Sequence, residues 1–213
     1  MAKRVLLLRG GSLGRNTGLG AAHHNLVDLL ESGKVDGWQL AGICEYPLEK
    51  TSNPISRIWQ RWFAHPKRVA KEINRLVSNN QCDLVHITDQ EQGHLMPKNC
   101  PVPGIITVHD LFHLFPEHLR FSDEVIAVGD TKPGIVRRRD LQKLKAGINR
   151  ANHLLCNSKH TLEAAEQHFP TVAASRVPLG IESAKYHPGN NQPIKLDLPD
   201  KCNFLVVGSN DPR

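Results

Sequence analysis

At 213 residues, with 39% hydrophobic and 23% charged residues, the chain can bury a sizeable core and reads as an ordinary globular protein. Its net charge of +6 suits an anionic ligand or an acidic membrane surface, yet the basic residues are scattered and no DNA-binding motif occurs, which argues against nucleic acid. The five cysteines (Cys44, Cys82, Cys100, Cys156 and Cys202) are odd in number and form no CxxC pair, which favours a reducing compartment over disulfides or zinc.

Strand-like and helix-like patterns alternate along the chain. Val5–Leu8 is a short apolar strand, too short for a signal peptide, and nothing reaches transmembrane length, so a cytoplasmic location is expected. Residues 20–32 place Ala22, Leu26, Leu29 and Leu30 on one helical face, with Gly33 as a stop. Leu40–Cys44 is a second strand. Ile55, Ile58, Trp59, Trp62 and Phe63 then follow helical spacing, Pro66 interrupts, and Val69, Ile73, Leu76 and Val77 resume it. Further strands are expected at 84–87, 105–108, 154–156 and 176–179. A charged helix over about 135–150 and another after Ser158, a fitting N-cap, separate the later strands. This alternation predicts an α/β protein with a doubly wound, mainly parallel Rossmann-like sheet over residues 1–182. Residues 183–202 have the Pro/Gly/Asn composition of a linker. The closing residues 203–213 resemble the first strand and turn of a second, incomplete domain, with 203–208 detached from the main sheet.

Chemistry is expected at the strand ends. The first strand runs into Arg9-Gly-Gly-Ser-Leu-Gly-Arg-Asn-Thr-Gly-Leu-Gly20, where five glycines allow close backbone approach to a ligand and the following helix favours an anion. The third position of a dinucleotide fingerprint is taken by His23, although Glu45 at the end of the second strand could contact a ribose. The strands at 84–87 and 105–108 are followed closely by Asp89 and directly by His109-Asp110. Ligands of open α/β sheets bind beyond the carboxyl ends of the strands, so these residues and the glycine loop are expected to share one crevice. For Asp89 and Asp110 the plainer role is structural hydrogen bonding. The Trp59/Trp62/Phe63 stripe, with Arg57, Arg61, Lys67, Arg68 and Lys71 nearby, is expected to pack on the sheet, with a membrane-touching amphipathic helix as the alternative. Arg137-Arg-Arg139 reads as a solvated helix face.

Five segments in order carry a specific resemblance: Thr17-Gly-Leu-Gly20, Thr107-Val-His-Asp110, Ala151-Asn-His-Leu-Leu-Cys-Asn-Ser158, Val177-Pro-Leu-Gly-Ile-Glu182 and Val207-Gly-Ser-Asn-Asp-Pro-Arg213. Together they resemble the N-terminal, acceptor-side half of a family 4 retaining glycosyltransferase of GT-B fold. The resemblance implies that Gly18 and Gly20 approach the donor diphosphate and that His109 contacts the transferred sugar near its anomeric carbon. It matches Arg213 to the arginine preceding the lysine of a phosphate clamp, and Asp89 and Asp110 remain acceptor-side candidates. It implies a nucleotide-sugar donor, a carbohydrate or lipid-linked acceptor, and possible peripheral contact with the inner face of the membrane. No DxD motif is present, so neither metal nor other cofactor is expected. Without the lysine and the downstream donor domain, the chain by itself is expected to be inactive. Two other readings stay open: a nucleotide- or dinucleotide-binding oxidoreductase, and a non-catalytic partner of a separately encoded donor domain.

Overall fold

The computed structural model of the chain describes residues 2–47, 53–121, 124–180 and 189. In chain order these form β1 (Lys3–Gly11), α1 (Gly18–Glu31), β2 (Trp38–Tyr46), α2 (Pro54–Trp59), α3 (His65–Ser78), β3 (Leu84–Ile87), β4 (Gly104–Val108), β5 (Glu117–Phe121), β6 (Glu124–Val128), α4 (Ile135–Ile148), β7 (His153–Cys156), α5 (Lys159–His168) and β8 (Ala173–Arg176). A π turn (Gln60–Ala64) joins α2 to α3, and a 3-10 turn (Gln90–Leu95) follows β3. The chain divides into two units, Met1–Pro178 and Leu179–Arg213, and all these elements lie in the first. The expected linker apart from Gly189, the strand at 203–208 and Arg213 fall outside the described residues.

Six parallel strands form one sheet in the order β2-β1-β3-β4-β7-β8. The order dictates which face each helix covers. Parallel crossovers are right-handed, so the leftward step from β1 to β2 and the rightward steps from β2 onward send their helices to opposite faces. On one face Val5 and Leu7 meet Val27 and Leu30 of α1. On the other, Leu6, Leu8, Ile87, Ile106 and Leu154 pack against Ile73 of α3, Leu144 and Ile148 of α4, and Ala165 of α5. Burial on both faces explains why the centre of β1 reads as an unbroken apolar run. The doubly wound architecture is therefore present as expected. Helix starts follow local chemistry: Thr17 Oγ1 accepts from Gly20 N at 3.1 Å, and Ser158 Oγ accepts from Thr161 N at 3.0 Å.

Five features depart from the sequence reading. Pro66 does not interrupt the second helical region. The π turn lets His65 N–H reach the Gln60 carbonyl, and Pro66 sits in the first turn of α3, where its missing N–H costs nothing. The last strand is Ala173–Arg176, ahead of the expected 176–179: Val177 N still bonds Cys156 O, but Pro178 has no N–H with which to continue. Trp59 and Phe63 are 60% and 52% exposed and so are not core residues, while Trp62 is half-buried with its indole N–H donated to Asp140. Arg137 is no solvated side chain either; it is half-buried between Glu91, Asp130 and Asp140. The antiparallel pair β5–β6 had no counterpart in the sequence reading.

Candidate functional site

The sheet reverses its winding between β1 and β3, and a crevice opens beyond the carboxyl ends of strands at such a switch point. Three connections converge there: the loop from β1 to α1, Thr88-Asp89-Gln90 after β3, and His109-Asp110 after β4. Gly20 is buried, and a Cβ at this position would meet the Gly14 carbonyl at 2.0 Å. Its missing side chain thus makes room for the loop's own backbone. A Cβ on Gly18 meets nothing within 4 Å, and Gly18 is exposed at the start of α1, so its backbone is accessible. Filling of the Gly20 space by the loop itself speaks against a dinucleotide fingerprint.

Thr88 ties the two sides of the crevice together. Its hydroxyl bonds His23 Nδ1 of α1 at 3.0 Å, and its carbonyl lies 3.2 Å from His109 Nε2. A carbonyl only accepts, so His109 Nε2 carries a proton, and in the neutral ring Nδ1 then offers its lone pair. The His109 peptide is clamped from both ends. Its N–H donates to Gln90 Oε1 at 2.9 Å, and its carbonyl accepts from Thr161 Oγ1 of α5 at 3.2 Å. His23 is held neutral, its pKa pushed down to about 4 by burial and then by Arg9. Asp110 is half-buried, with Oδ1 shielded from water and without a hydrogen-bond partner among the described residues.

Arg9 and Asp89 face each other at the base of the crevice, with Nη2 and Oδ2 3.7 Å apart and side chains 2% and 4% exposed. Burial disfavours the charged form of each: it lowers the Arg9 pKa against the pull of Asp89 and Glu45, and raises that of Asp89 against the Glu91 N–H and Arg9. Asp89 Oδ1 accepts from Glu91 N at 2.9 Å and so caps the 3-10 turn, in keeping with the structural role expected of it. Arg9 Nε and Nη1 have no hydrogen-bond partner among the described residues.

Beside this pair lies a cavity of about 900 Å³, lined among others by Arg9, Arg57, Arg61, Arg68, Asp89 and Gln92. Two of its arginines are positioned by bonds to the protein. Arg61 reaches Asp140, Gln92 Oε1 and the Glu91 carbonyl, while Arg68 donates to the Glu45 carbonyl and to His65 Nδ1. His65 in turn donates from Nε2 to the Arg9 carbonyl at 2.6 Å, linking the two arginine segments through one buried ring. Burial lowers its pKa and keeps it neutral, as this pattern of one donated and one accepted bond requires.

The structure brings together His109, Asp89 and Asp110 at adjacent strand ends, with the Gly18–Gly20 segment one strand away on α1. His109, Asp110, Gly18 and Gly20 are not among the residues lining the 900 Å³ cavity. Arg9, His23, His65 and Gln90 were not singled out as site residues from the sequence. Arg9 carried a usable signal, a cation closing an otherwise apolar strand. The two histidines sit on helices at positions indistinguishable from core or surface positions.

The sequence matches no protein-family model and no curated protein. Similar structures include a UDP-glucosyltransferase from Polygonum tinctorium (TM-score 0.53, 12% identity over 91% of this chain and 55% of that one). A second is UGT2 of Phytolacca americana (TM-score 0.53, 10% identity over 84% of this chain and 53% of that one). The chain spans about half the length of these structures. It shares with them a mainly parallel Rossmann-like α/β fold, the fold of GT-B-type glycosyltransferases.

Proposed function

We propose that the protein is the acceptor-side part of a glycosyltransferase that moves a sugar from a nucleotide-sugar to an acceptor. The observation that carries this reading is the position of His109, whose Nε2 donates to the Thr88 carbonyl, beside the switch-point crevice of a fold shared with UDP-glycosyltransferases. Of those two structures, one enzyme is described as capable of glucosylating indoxyl, and the other is complexed with UDP-2-fluoro-glucose and pterostilbene.

In the reaction the bond from the anomeric carbon to the diphosphate breaks, and a bond to the acceptor oxygen forms. Positive charge grows on the sugar ring and negative charge on the leaving diphosphate. Backbone N–H groups at the start of α1, near Gly18, can stabilise the latter, because a helix N-terminus favours an anion. His109 Nδ1 can accept a hydrogen bond from a hydroxyl of the transferred sugar and hold it for attack. Ile55, Trp59 and Phe63 are exposed on the helical segment beside the cavity, with Arg57 among them, which favours an acceptor met at a membrane surface.

Release of nucleoside diphosphate across a panel of nucleotide-sugars and acceptors tests the proposal, using this chain together with a donor-binding domain. His109→Ala should lower kcat/KM by about 100-fold while leaving the melting temperature unchanged. NMR of the product anomer should show the retained configuration implied by the sequence resemblance. Transfer undiminished by His109→Ala would remove the site from the mechanism.

A further inference from the structure

Arg9 presents an unusual situation. Its side chain is 2% exposed, yet among the described residues Nε and Nη1 have no hydrogen-bond partner, and the Asp89 carboxylate oxygen is 3.7 Å from Nη2. A buried ionic donor left unmade is costly, and native structures rarely keep one without a reason. The side chain lines the 900 Å³ cavity, whose size lies within the range of small-molecule sites. Among the described residues that line that cavity, four are arginines and one, Asp89, is a carboxylate. Arg61 and Arg68 are already engaged, whereas Arg57 is exposed and has no partner among the described residues.

We propose that this cavity binds a phosphate group, and hence that the acceptor is a phosphate-bearing molecule. The inference rests on the transferase reading for the word acceptor, but the site itself rests on Arg9 and the cavity. The phosphate takes charge-assisted hydrogen bonds from the Arg9 guanidinium at the base and from Arg57 at the mouth. His65 keeps the cradle in shape, because its ring donates to the Arg9 carbonyl and accepts from Arg68. Asp89 holds the remaining edge of Arg9, so the guanidinium is oriented before the ligand arrives. The same chemistry is offered by a soluble sugar phosphate and by a phospholipid headgroup.

Calorimetric titration of the full chain with glucose 6-phosphate, glucuronate and glucose, together with sedimentation against neutral vesicles and vesicles containing an anionic phospholipid, tests the proposal. Glucose 6-phosphate or the anionic vesicles should bind, more weakly as salt is raised, while glucose should not. Binding of the soluble compound identifies a free sugar phosphate as the source, and binding confined to anionic vesicles identifies a headgroup. Arg57→Ala, a surface change, should weaken binding about tenfold, and Arg9→Met should abolish it. Binding of glucose or glucuronate as tight as that of glucose 6-phosphate overturns the assignment, as does phosphate binding that survives both variants. Transfer to an uncharged acceptor, unaffected by Arg57→Ala, overturns the phosphate site and leaves the transferase reading standing. Phosphate binding without any sugar transfer does the reverse.

Discussion

Arg61 and Asp140 meet in a two-pronged ion pair, Nε to Oδ1 at 2.8 Å and Nη2 to Oδ2 at 3.0 Å, which ties the π turn to α4. Asp140 also accepts from Trp62 Nε1 at 2.8 Å and Arg137 Nη1 at 3.0 Å. Burial opposes its ionisation, but the two-pronged bond to Arg61 outweighs it and the pKa stays below the ordinary value. Removing this carboxylate leaves the half-buried Arg61 without an anionic partner and takes one of three from Arg137. Asp140→Ala is therefore expected to cost about 3 kcal/mol in urea unfolding. A loss below about 1 kcal/mol would show that the network is dispensable, as exposed ion pairs are.

Gly147 of α4 lies so close to the 3-10 turn that a Cβ would meet the Gly93 carbonyl oxygen at 2.0 Å. Helix propensity alone favours Gly147→Ala by about 1 kcal/mol, whereas forcing α4 away from the turn costs about 1–3 kcal/mol. Backbone cannot move aside as a flexible side chain can, so net destabilisation is expected. At Gly18 no atom opposes the new methyl group, and Gly18→Ala should leave stability unchanged or slightly raised. Denaturation midpoints of the two variants should move in different directions; a shared sign would refute the packing argument.

Acid should destabilise the fold well before the surface carboxylates titrate. Burial pushes His23 and His86 down to about 4 and His94 to about 3, from an ordinary value of 6.5. The unfolded chain then takes up protons near pH 6.5 while the native state does not, so stability is fully present above that pH and falls as pH drops toward 4. Asp89, its pKa raised by burial, works in the opposite sense, but it is one group against three. A melting temperature that stays flat between pH 7 and pH 4.5 would contradict the buried neutral state. His86→Gln should reduce the slope, since Gln can still bond Thr107 Oγ1, which now lies 2.8 Å from His86 Nε2.

Ile55, Trp59 and Phe63 are 78%, 60% and 52% exposed, and under the proposal of an acceptor met at a membrane they are the side chains to test for lipid contact. Replacing both Trp59 and Phe63 by Ser should lower the partition onto anionic vesicles by about tenfold or more, since each large apolar side chain gains roughly 1.5–3 kcal/mol on burial. The fold should be unaffected, because neither side chain is in the core. Equal sedimentation of the double variant and the parent would dismiss membrane contact through this face.

Periodicity and strand-end chemistry made much of this protein legible from its amino acids. β1, β3, β4 and β7 are short apolar runs with few alternatives, Thr17 and Ser158 start their helices by local hydrogen bonds, and the right-handed crossover sets the face each helix covers once the strand order is known. His109, Asp110 and Asp89 could be placed near one another because residues after parallel strands gather at one edge of a sheet. Local pattern could not tell Trp59, which faces solvent, from Ile73, which is fully buried, because both occupy the same helical period. Nor could it find β8, whose Ala-Ala-Ser-Arg lacks strand-forming side chains and is held by pairing with β7. The Arg9–Asp89 contact spans 80 positions, and the cavity beside it is formed by side chains from β1, α2 and the turn after β3. Such a site is a property of three-dimensional packing: the sequence determined which elements form and where their polar ends lie, whereas tertiary structure decided which charges are buried, paired or left free, since desolvation depends on every neighbour at once.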